Sequence, residues 1–127
     1  MTGEAGTERI RVMHVDDHAD MRDLVEILLN SQSDIKVVAQ AGSLVEARAH
    51  VSRSEFDVAV LDLGLPDGNG LDLIDDLRRA NPDVGVLILS ANLDAASMER
   101  AADADEILDK LAPLDEVLGT VRRLGNA

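Results

Sequence analysis

The stretch that most constrains this chain runs from Phe56 to Gly70 and reads FDVAVLDLGLPDGNG. An apolar run ends at Asp62 and is followed at once by a loop rich in Gly, Pro, Asp and Asn. An unpaired carboxylate is costly to bury within a Val/Leu strand. We therefore expect this strand to deliver Asp62 to a solvent-accessible edge that also carries a cation.

Length and composition predict one soluble domain. The chain has 127 residues, enough for one ordinary core and too few for two full domains. No apolar run approaches the roughly 18 residues of a membrane span, and the N-terminal MTGEAGTER does not read as a secretory signal. A cytoplasmic location is the expectation. The absence of cysteine excludes a thiolate nucleophile and a Cys-ligated metal.

The charge balance argues against direct nucleic-acid binding by this segment. The formal net charge is −13, which repels phosphate backbones and favours cations or basic partner surfaces. Phe56 is the sole aromatic residue, so no stacking platform for bases is present. The only lysines are Lys36 and Lys110, and any chemistry that needs a lysine must use one of them.

Strand-like and helix-like segments alternate along the chain. Short apolar runs predict strands over residues 10–15, 35–39, 58–61, 84–89 and 106–109. Helical periodicity predicts helices from 19 to about 30, 44 to about 52, 69 or 70 to 80, 95 to 102 and 114 to 124. Five strands that alternate with five helices through short loops favour a doubly wound parallel α/β sheet.

Local patterns add detail to the helices. Ser43 and Glu46 fit a capping box at the start of the second helix. The apolar positions of the first helix recur at helical spacing and predict a face buried in the core; they are Met21, Leu24, Val25 and Leu28. His14, in mid-strand, is expected to be a satisfied core histidine. His18 is interpreted as a residue of the helix start and is left out of the site.

Polar residues follow four of the five predicted strands. They are Asp16 with Asp17, Asp62, Ser90 and Lys110. In an open parallel sheet the carboxyl ends of the strands share one edge, where ligands bind. Three carboxylates at one edge repel one another by several kcal/mol unless a cation or a proton intervenes. Mg²⁺ is the natural cation, because it takes a few carboxylate and carbonyl oxygens and keeps its waters.

These groups together suit phosphoryl transfer. The carboxylate of Asp62 can attack phosphorus and form an acyl phosphate, while Mg²⁺ and Lys110 neutralise the transferring oxygens. Ser90 can donate a hydrogen bond to a phosphoryl oxygen. The backbone carbonyl of Gly64 is expected to complete the metal shell, because a loop carbonyl has no ladder partner.

Four motifs make the chain resemble the receiver domain of two-component response regulators. They are VDDH at residues 15–18, LDLGLPDGNG at 61–70, LSA at 89–91 and the lysine of ILDK at 107–110. The resemblance covers residues 10–124. It implies a flavodoxin-like fold with strand order 2-1-3-4-5. Residues 1–9 are then expected to form a flexible leader, and 125–127 a tail or the start of a linker.

The resemblance implies a role for each matched residue. Asp62 would be the phosphoacceptor, Ser90 the switch hydroxyl and Lys110 the phosphoryl contact. Asp17 would be a more direct metal ligand than Asp16. The implied Mg²⁺ ligands are Asp16, Asp17, Asp62 and the backbone carbonyl of Gly64.

The resemblance also implies partners. A sensor histidine kinase would supply the phosphoryl group, and self-catalysed hydrolysis would remove it, without making the chain an enzyme in the usual sense. Phosphorylation would change a face from Leu93 to Leu124, which could bind an output partner or a second copy. VDDH most resembles regulators with a DNA-binding helix-turn-helix output, which leaves open that the chain is the N-terminal part of such a regulator.

A departure at Ile107 and two alternatives stand beside this interpretation. Ile107 occupies the fifth-strand position where the family usually has Tyr or Phe, so coupling to Ser90 is expected to differ. A Mg²⁺-dependent aspartyl phosphatase would need a second Asp at position 64, where the chain has Gly64. The other alternative is a phosphate-independent adaptor or dimerisation module.

Overall fold

A sheet of five parallel strands lies at the centre of the protein, a computed structural model that describes residues 9–53, 55–91 and 103–126. The spatial order of the strands is β2-β1-β3-β4-β5, which confirms the predicted order 2-1-3-4-5. The strands are β1 (Ile10–Val15), β2 (Ile35–Ala41), β3 (Val58–Leu61), β4 (Gly85–Ser90) and β5 (Glu106–Asp109).

Helices pack on both faces of this sheet, as a doubly wound arrangement requires. The described residues contain α1 (Ala19–Asn30), α2 (Leu44–Val51), α3 (Asp72–Ala80) and α4 (Leu114–Gly125). The helix predicted over 95–102 lies outside the described residues. No helix in the described ranges has the length and apolar character needed to cross a membrane.

Alternate strand residues build two separate cores. One face of the sheet buries Met13 and Val15 beneath α2 and α3, and the other buries Val12 and Val60 beneath α1 and α4. Every residue of β3 is buried, because β3 is the central strand and both of its faces are covered. This explains why β3 reads as a continuous apolar run.

Two helices differ from their predictions. Of the apolar residues of α1, Leu29 is buried, whereas Met21 and Leu24 are 36% and 50% exposed. The predicted stripe therefore lines a groove beside α4, and of its residues Val25 also packs against the core. The third helix begins at Asp72, later than predicted, because the side chain of Asn69 accepts a hydrogen bond from Leu71 N (2.8 Å) and forms a turn first.

The start of α2 is capped by two parts of the chain. Ser43 Oγ accepts from Glu46 N (3.2 Å), and Glu46 Oε1 accepts from Gly42 N (2.9 Å), so the predicted capping box reaches one residue further back. The carboxylate of Asp67, in the loop after β3, accepts from the backbone N–H groups of Leu44 (2.8 Å) and Val45 (3.1 Å). The loop after β3 is thereby fixed to α2.

The predicted core histidine is buried but not fully satisfied. His14 is 2% exposed on β1, beneath the groove of about 200 Å³ between α1 and α4. Its Nδ1 has no hydrogen-bond partner among the described residues. Burial lowers the pKa of His14 from 6.5 to about 4; Asp16 opposes this shift, and Lys110 and Arg22 add to it.

This depressed pKa predicts a specific loss of stability in mild acid. Above pH 6.5 His14 is neutral in both folded and unfolded chains; between pH 6.5 and about 4 the unfolded chain takes up a proton that the folded chain refuses. We expect the free energy of unfolding to fall by about 3 kcal/mol more in the wild type than in His14→Val between pH 7 and 4. Urea denaturation in EDTA measures this difference; parallel pH curves would contradict it.

Candidate functional site

Backbone hydrogen bonds beyond the strand ends bring the predicted site residues together. Asp62 N donates to Val15 O (2.9 Å) and Asp16 N donates to Ala41 O (3.0 Å), which continues the ladders of the neighbouring strands. On the other side of β3, Lys110 N donates to Ser90 O (3.1 Å). The carboxyl ends of β1, β3, β4 and β5 therefore meet at one edge of the sheet, as the sequence predicts.

Lys110 joins the two buried carboxylates of this edge. Its Nζ lies 3.0 Å from Asp62 Oδ2 and 3.2 Å from Asp16 Oδ2. The side chains of Asp16 and Asp62 are 2% and 10% exposed, so water screens these pairs poorly. The cation that Asp62 was expected to need is Lys110.

The pKa values of Asp16 and Lys110 shift in the directions that favour their charged forms. Burial alone would raise the pKa of Asp16, but bonds from His18 N–H and from Lys110 outweigh burial and lower it. Burial would likewise lower the pKa of Lys110, whereas hydrogen bonds to Asp62 and Asp16 raise it. Both groups are therefore charged near neutral pH.

An open cleft of about 370 Å³ gives solvent access to these groups. Asp17 lies at its edge with a side chain that is 34% exposed, and Ser90, 5% exposed, ends β4 at its wall. The predicted site residues line it, except the more deeply buried Asp16 and the switch-strand residue Ile107. The lining residues are Asp17, His18, Asp62, Leu63, Gly64, Asn69, Ser90, Ala91 and Lys110.

His18 belongs to the site, although the sequence interpretation left it out. Its Nδ1 lies 3.1 Å from Asp16 Oδ1 and 3.0 Å from Asp17 Oδ1. Its backbone N–H also donates to Asp16 Oδ1 (2.9 Å), an Asx-type turn that starts the chain toward α1. The position directly after an acidic pair was the available signal, because such a turn brings the next side chain back to the first carboxylate.

Arg22 is a second residue that sequence reasoning missed. Its Nη1 donates to the backbone carbonyl of Asp16 (2.6 Å), and Gln40 Nε2 donates to Arg22 O (2.8 Å). A Cβ at Gly42 would lie 2.7 Å from Arg22 Nη1, so the glycine leaves room for the guanidinium. Arg22 therefore anchors the acidic end of β1 to the adjoining loop after β2.

The loop after Asp62 is shaped by glycines. A Cβ at Gly70 would collide with the carbonyl oxygen of Asp62, and Gly70 N donates to Leu63 O (2.9 Å). Gly64 lines the cleft as predicted, and the role of its carbonyl as a metal ligand stays a prediction. Gly64 pairs with Asn69 in a two-residue antiparallel ladder, since the turn between them folds the loop back on itself.

Ile107 lies on β5, three residues before Lys110. It pairs with Ile88, while Ser90 pairs with Asp109. Its side chain is partly buried and packs against the core beneath α2 and α3. The Ile107 side chain is thus part of the apolar packing on this face of the sheet.

The donor set fits a hard divalent cation. Asp16, Asp17, His18 and Asp62 each offer one ligand atom, and these atoms lie within 4.8 Å of one another. Carboxylate oxygens in this number are what Mg²⁺ takes from proteins, with water completing its octahedral shell. The chemistry of the residues is therefore compatible with a magnesium site at this edge.

Comparison with known proteins settles the family. The sequence matches the model of the response regulator receiver domain over residues 12–122. The chain belongs to this family. Receiver domains are the phosphorylatable, Mg²⁺-binding modules of two-component signalling, so the fold and the general function inferred from the motifs are confirmed.

Curated relatives are longer proteins. The chain is 45% identical over 82 residues to the DNA-binding transcriptional activator DevR/DosR of Mycobacterium tuberculosis, covering 65% of this chain and 38% of that protein. It is 36% identical over 124 residues to the response regulator protein PilR of Pseudomonas aeruginosa, covering 93% and 27%. The chain thus spans about a quarter to two fifths of the length of these relatives.

Solved structures share the fold across nearly the whole chain. The response regulator TrrA of Thermotoga maritima, in complex with Mg²⁺-BeF, has a TM-score of 0.80 and 25% identity, covering 91% of this chain and 98% of that one. The beryllofluoride-activated NtrC4 receiver domain dimer has a TM-score of 0.81 and 26% identity, covering 91% and 96%. Receiver domains of this fold therefore bind Mg²⁺ and can dimerise.

The anchoring role of Arg22 predicts a loss of stability on its removal. Arg22→Met keeps the length of the side chain and removes the donor to the Asp16 carbonyl. We expect the free energy of unfolding at pH 7 to fall by about 2 kcal/mol, as for the loss of a hydrogen bond from a charged group. Urea denaturation followed by circular dichroism measures the change.

The matched control is Arg79→Met on α3, whose side chain is 77% exposed and pairs only with surface Asp76 at 3.5 Å. We expect that change to stay within about 0.5 kcal/mol. Equal effects of the two substitutions would show that Arg22 is not an anchor.

Proposed function

We propose that this chain is a phosphorylation switch in which Asp62 accepts a phosphoryl group from a phosphohistidine of a sensor histidine kinase. One observation carries the proposal: the Asp62 carboxylate is held 3.0 Å from Lys110 at an open cleft lined by Asp17, with the buried Asp16 beside it. A nucleophile, a fixed cation and a pair of metal-ligand carboxylates at one edge are the parts that phosphoryl transfer requires.

In the transfer step, a carboxylate oxygen of Asp62 attacks phosphorus and the bond from phosphorus to the kinase imidazole nitrogen breaks. The product is an acyl phosphate on Asp62 and a free histidine on the kinase. Lys110 stabilises negative charge on the phosphoryl oxygens, and the Ser90 hydroxyl donates to one of them. Hydrolysis reverses the modification: water attacks phosphorus, phosphate leaves, and the Asp62 carboxylate is restored.

The proposed metal ligands are Asp16, Asp17, Asp62 and the backbone carbonyl of Gly64. When bound, Mg²⁺ neutralises the carboxylates and the transferring oxygens, which lowers the barrier to bringing a phosphoryl group to this acidic edge. The positive charge of Lys110 also balances Asp16 and Asp62 before a cation binds. Asp17, the more exposed of the acidic pair, is positioned to be the more direct ligand.

Phosphorylation adds negative charge beside Ser90 and biases the chain between two conformations. Ile107 has no aromatic ring to follow Ser90 as the Tyr or Phe of other receiver domains would. The response is proposed to reach the face from Leu93 to Leu124 without such a ring. The relative DevR/DosR, a DNA-binding transcriptional activator, supports a DNA-binding output for this regulator.

Two competing functions are weighed against this proposal. An aspartyl phosphatase needs an acid/base two residues after the nucleophile, and Gly64 offers none. A phosphate-independent adaptor or dimerisation module is favoured by one observation, the aliphatic Ile107. The intact set of Asp16, Asp17, Asp62 and Lys110 supports phosphate chemistry instead.

The deciding experiment is phosphorylation by acetyl phosphate, followed by intact mass. We expect the wild type to gain one phosphoryl group only when Mg²⁺ is present, and Asp62→Asn to gain none. Asp83→Asn, the same substitution at an exposed residue before β4, is the matched control and should behave as the wild type. A wild type that stays unmodified, and that also fails to bind beryllofluoride, would favour the phosphate-independent module.

The proposed homodimer is tested separately. We expect light scattering with Mg²⁺ and beryllofluoride to give the mass of two chains, and the mass of one chain without them. The described part of this face is β5 and α4, linked by the Arg123–Glu106 ion pair at 2.8 Å. Arg123→Glu should lower the dimer fraction, whereas Arg79→Glu should not; a constant mass of one chain would contradict the dimer.

A further inference from the structure

His18 is the one imidazole among the described residues of the cleft, and it faces solvent. Its side chain is 69% exposed, whereas Asp16 beside it is almost fully buried. Its Nδ1 lies within hydrogen-bonding distance of the carboxylates of Asp16 and Asp17. These contacts hold the ring nitrogen beside both members of the acidic pair.

We propose that His18 is a nitrogen ligand of the divalent-cation site, and that it shifts the preference of the site from Mg²⁺ toward transition-metal dications that bind imidazole. This inference rests on the proposed metal site of Asp16, Asp17 and Asp62. It adds to that site a ligand of a different chemical class.

The distances around His18 match those of a coordination shell. With metal–ligand bonds of about 2.1 Å, neighbouring ligand atoms in an octahedral complex lie about 3.0 Å apart. Nδ1 of His18 lies 3.1 Å from Asp16 Oδ1 and 3.0 Å from Asp17 Oδ1. One ring nitrogen thus forms two octahedral edges with the two carboxylates of the acidic pair.

The remaining ligand, Asp62, is also within reach. Opposite ligands in such a complex lie about 4.2 Å apart. The four candidate ligand atoms lie within 4.8 Å of one another, which is close to the separation of opposite ligands.

The backbone of His18 is already fixed for this role. Its N–H donates to Asp16 Oδ1 (2.9 Å), and its carbonyl accepts from Arg22 N (3.0 Å) in the first turn of α1. The side chain is also held by its contacts with Asp16 and Asp17. The entropy lost when the imidazole binds a cation is correspondingly small.

The identity of the donor decides which cations benefit. Mg²⁺ prefers oxygen and holds its waters tightly, so a ring nitrogen adds little to its affinity. Co²⁺, Ni²⁺ and Zn²⁺ accept imidazole readily, and Co²⁺ also tolerates octahedral oxygen ligands. A nitrogen in the shell therefore raises the affinity for these cations selectively.

The test measures binding of Mg²⁺ and Co²⁺ to the whole chain by calorimetry at pH 8, without a phosphodonor. His18→Asn replaces the ring nitrogen by an amide oxygen, which hard cations accept. We expect Co²⁺ affinity to fall at least about tenfold and Mg²⁺ affinity to change less than about threefold. The visible spectrum of bound Co²⁺ should also change, because its donor set changes.

His50→Asn is the matched control, because His50 lies in the last turn of α2 and outside the cleft. It should leave both affinities and the Co²⁺ spectrum unaltered. An unchanged ratio of Co²⁺ to Mg²⁺ affinity in His18→Asn would overturn the inference, whether both affinities hold or both fall. If Asp62 is still phosphorylated with Mg²⁺ in that case, the proposed function stands and only the nitrogen ligand is rejected.

Discussion

The site depends on the interactions that the ammonium group of Lys110 makes with two carboxylates. This ammonium group lies within hydrogen-bonding distance of two buried carboxylates, those of Asp16 and Asp62, in a chain whose net charge is −13. Without it, two like charges would face each other where water screens them poorly, and removing one partner of such a group is strongly destabilising. The same contact helps to lower the pKa of Asp16 and keeps that carboxylate charged, which is the state that a metal ion requires.

Rigid elements hold this cation and its carboxylates in place. The strands end at one edge because ladder hydrogen bonds continue to Asp16, Asp62 and Lys110. Two apolar cores, one on each face of the sheet, pack the helices against the strands and so fix the position of that edge relative to the helices. Arg22 and Gly70 then hold the backbone on either side of it. The groups that face the cleft, such as Asp17 and Lys110, lie where a ligand can reach them.

The sequence predicted the sheet and most of the site because both follow from short-range patterns. Continuous apolar runs identify buried parallel strands, and the topology places the residues after them at one edge. His18 and Arg22 were missed because their contacts depend on side-chain torsions and on Gly42, 20 positions beyond Arg22. The stripe of α1 was overestimated because periodicity shows which side of a helix faces the protein, not how closely the neighbouring helix packs.

Asp67 gives the loop after β3 a second structural role, as a cap for α2. Its carboxylate caps α2, although the loop itself shapes the surroundings of Asp62. In protein engineering, the loop after β3 and the start of α2 should therefore be exchanged together. Transplanting the loop into another receiver scaffold, to alter the lifetime of a phosphoryl group, requires the accepting helix to offer two free N–H groups at the same place. A graft that ignores this pairing would leave a charged side chain without donors and a helix end without its cap.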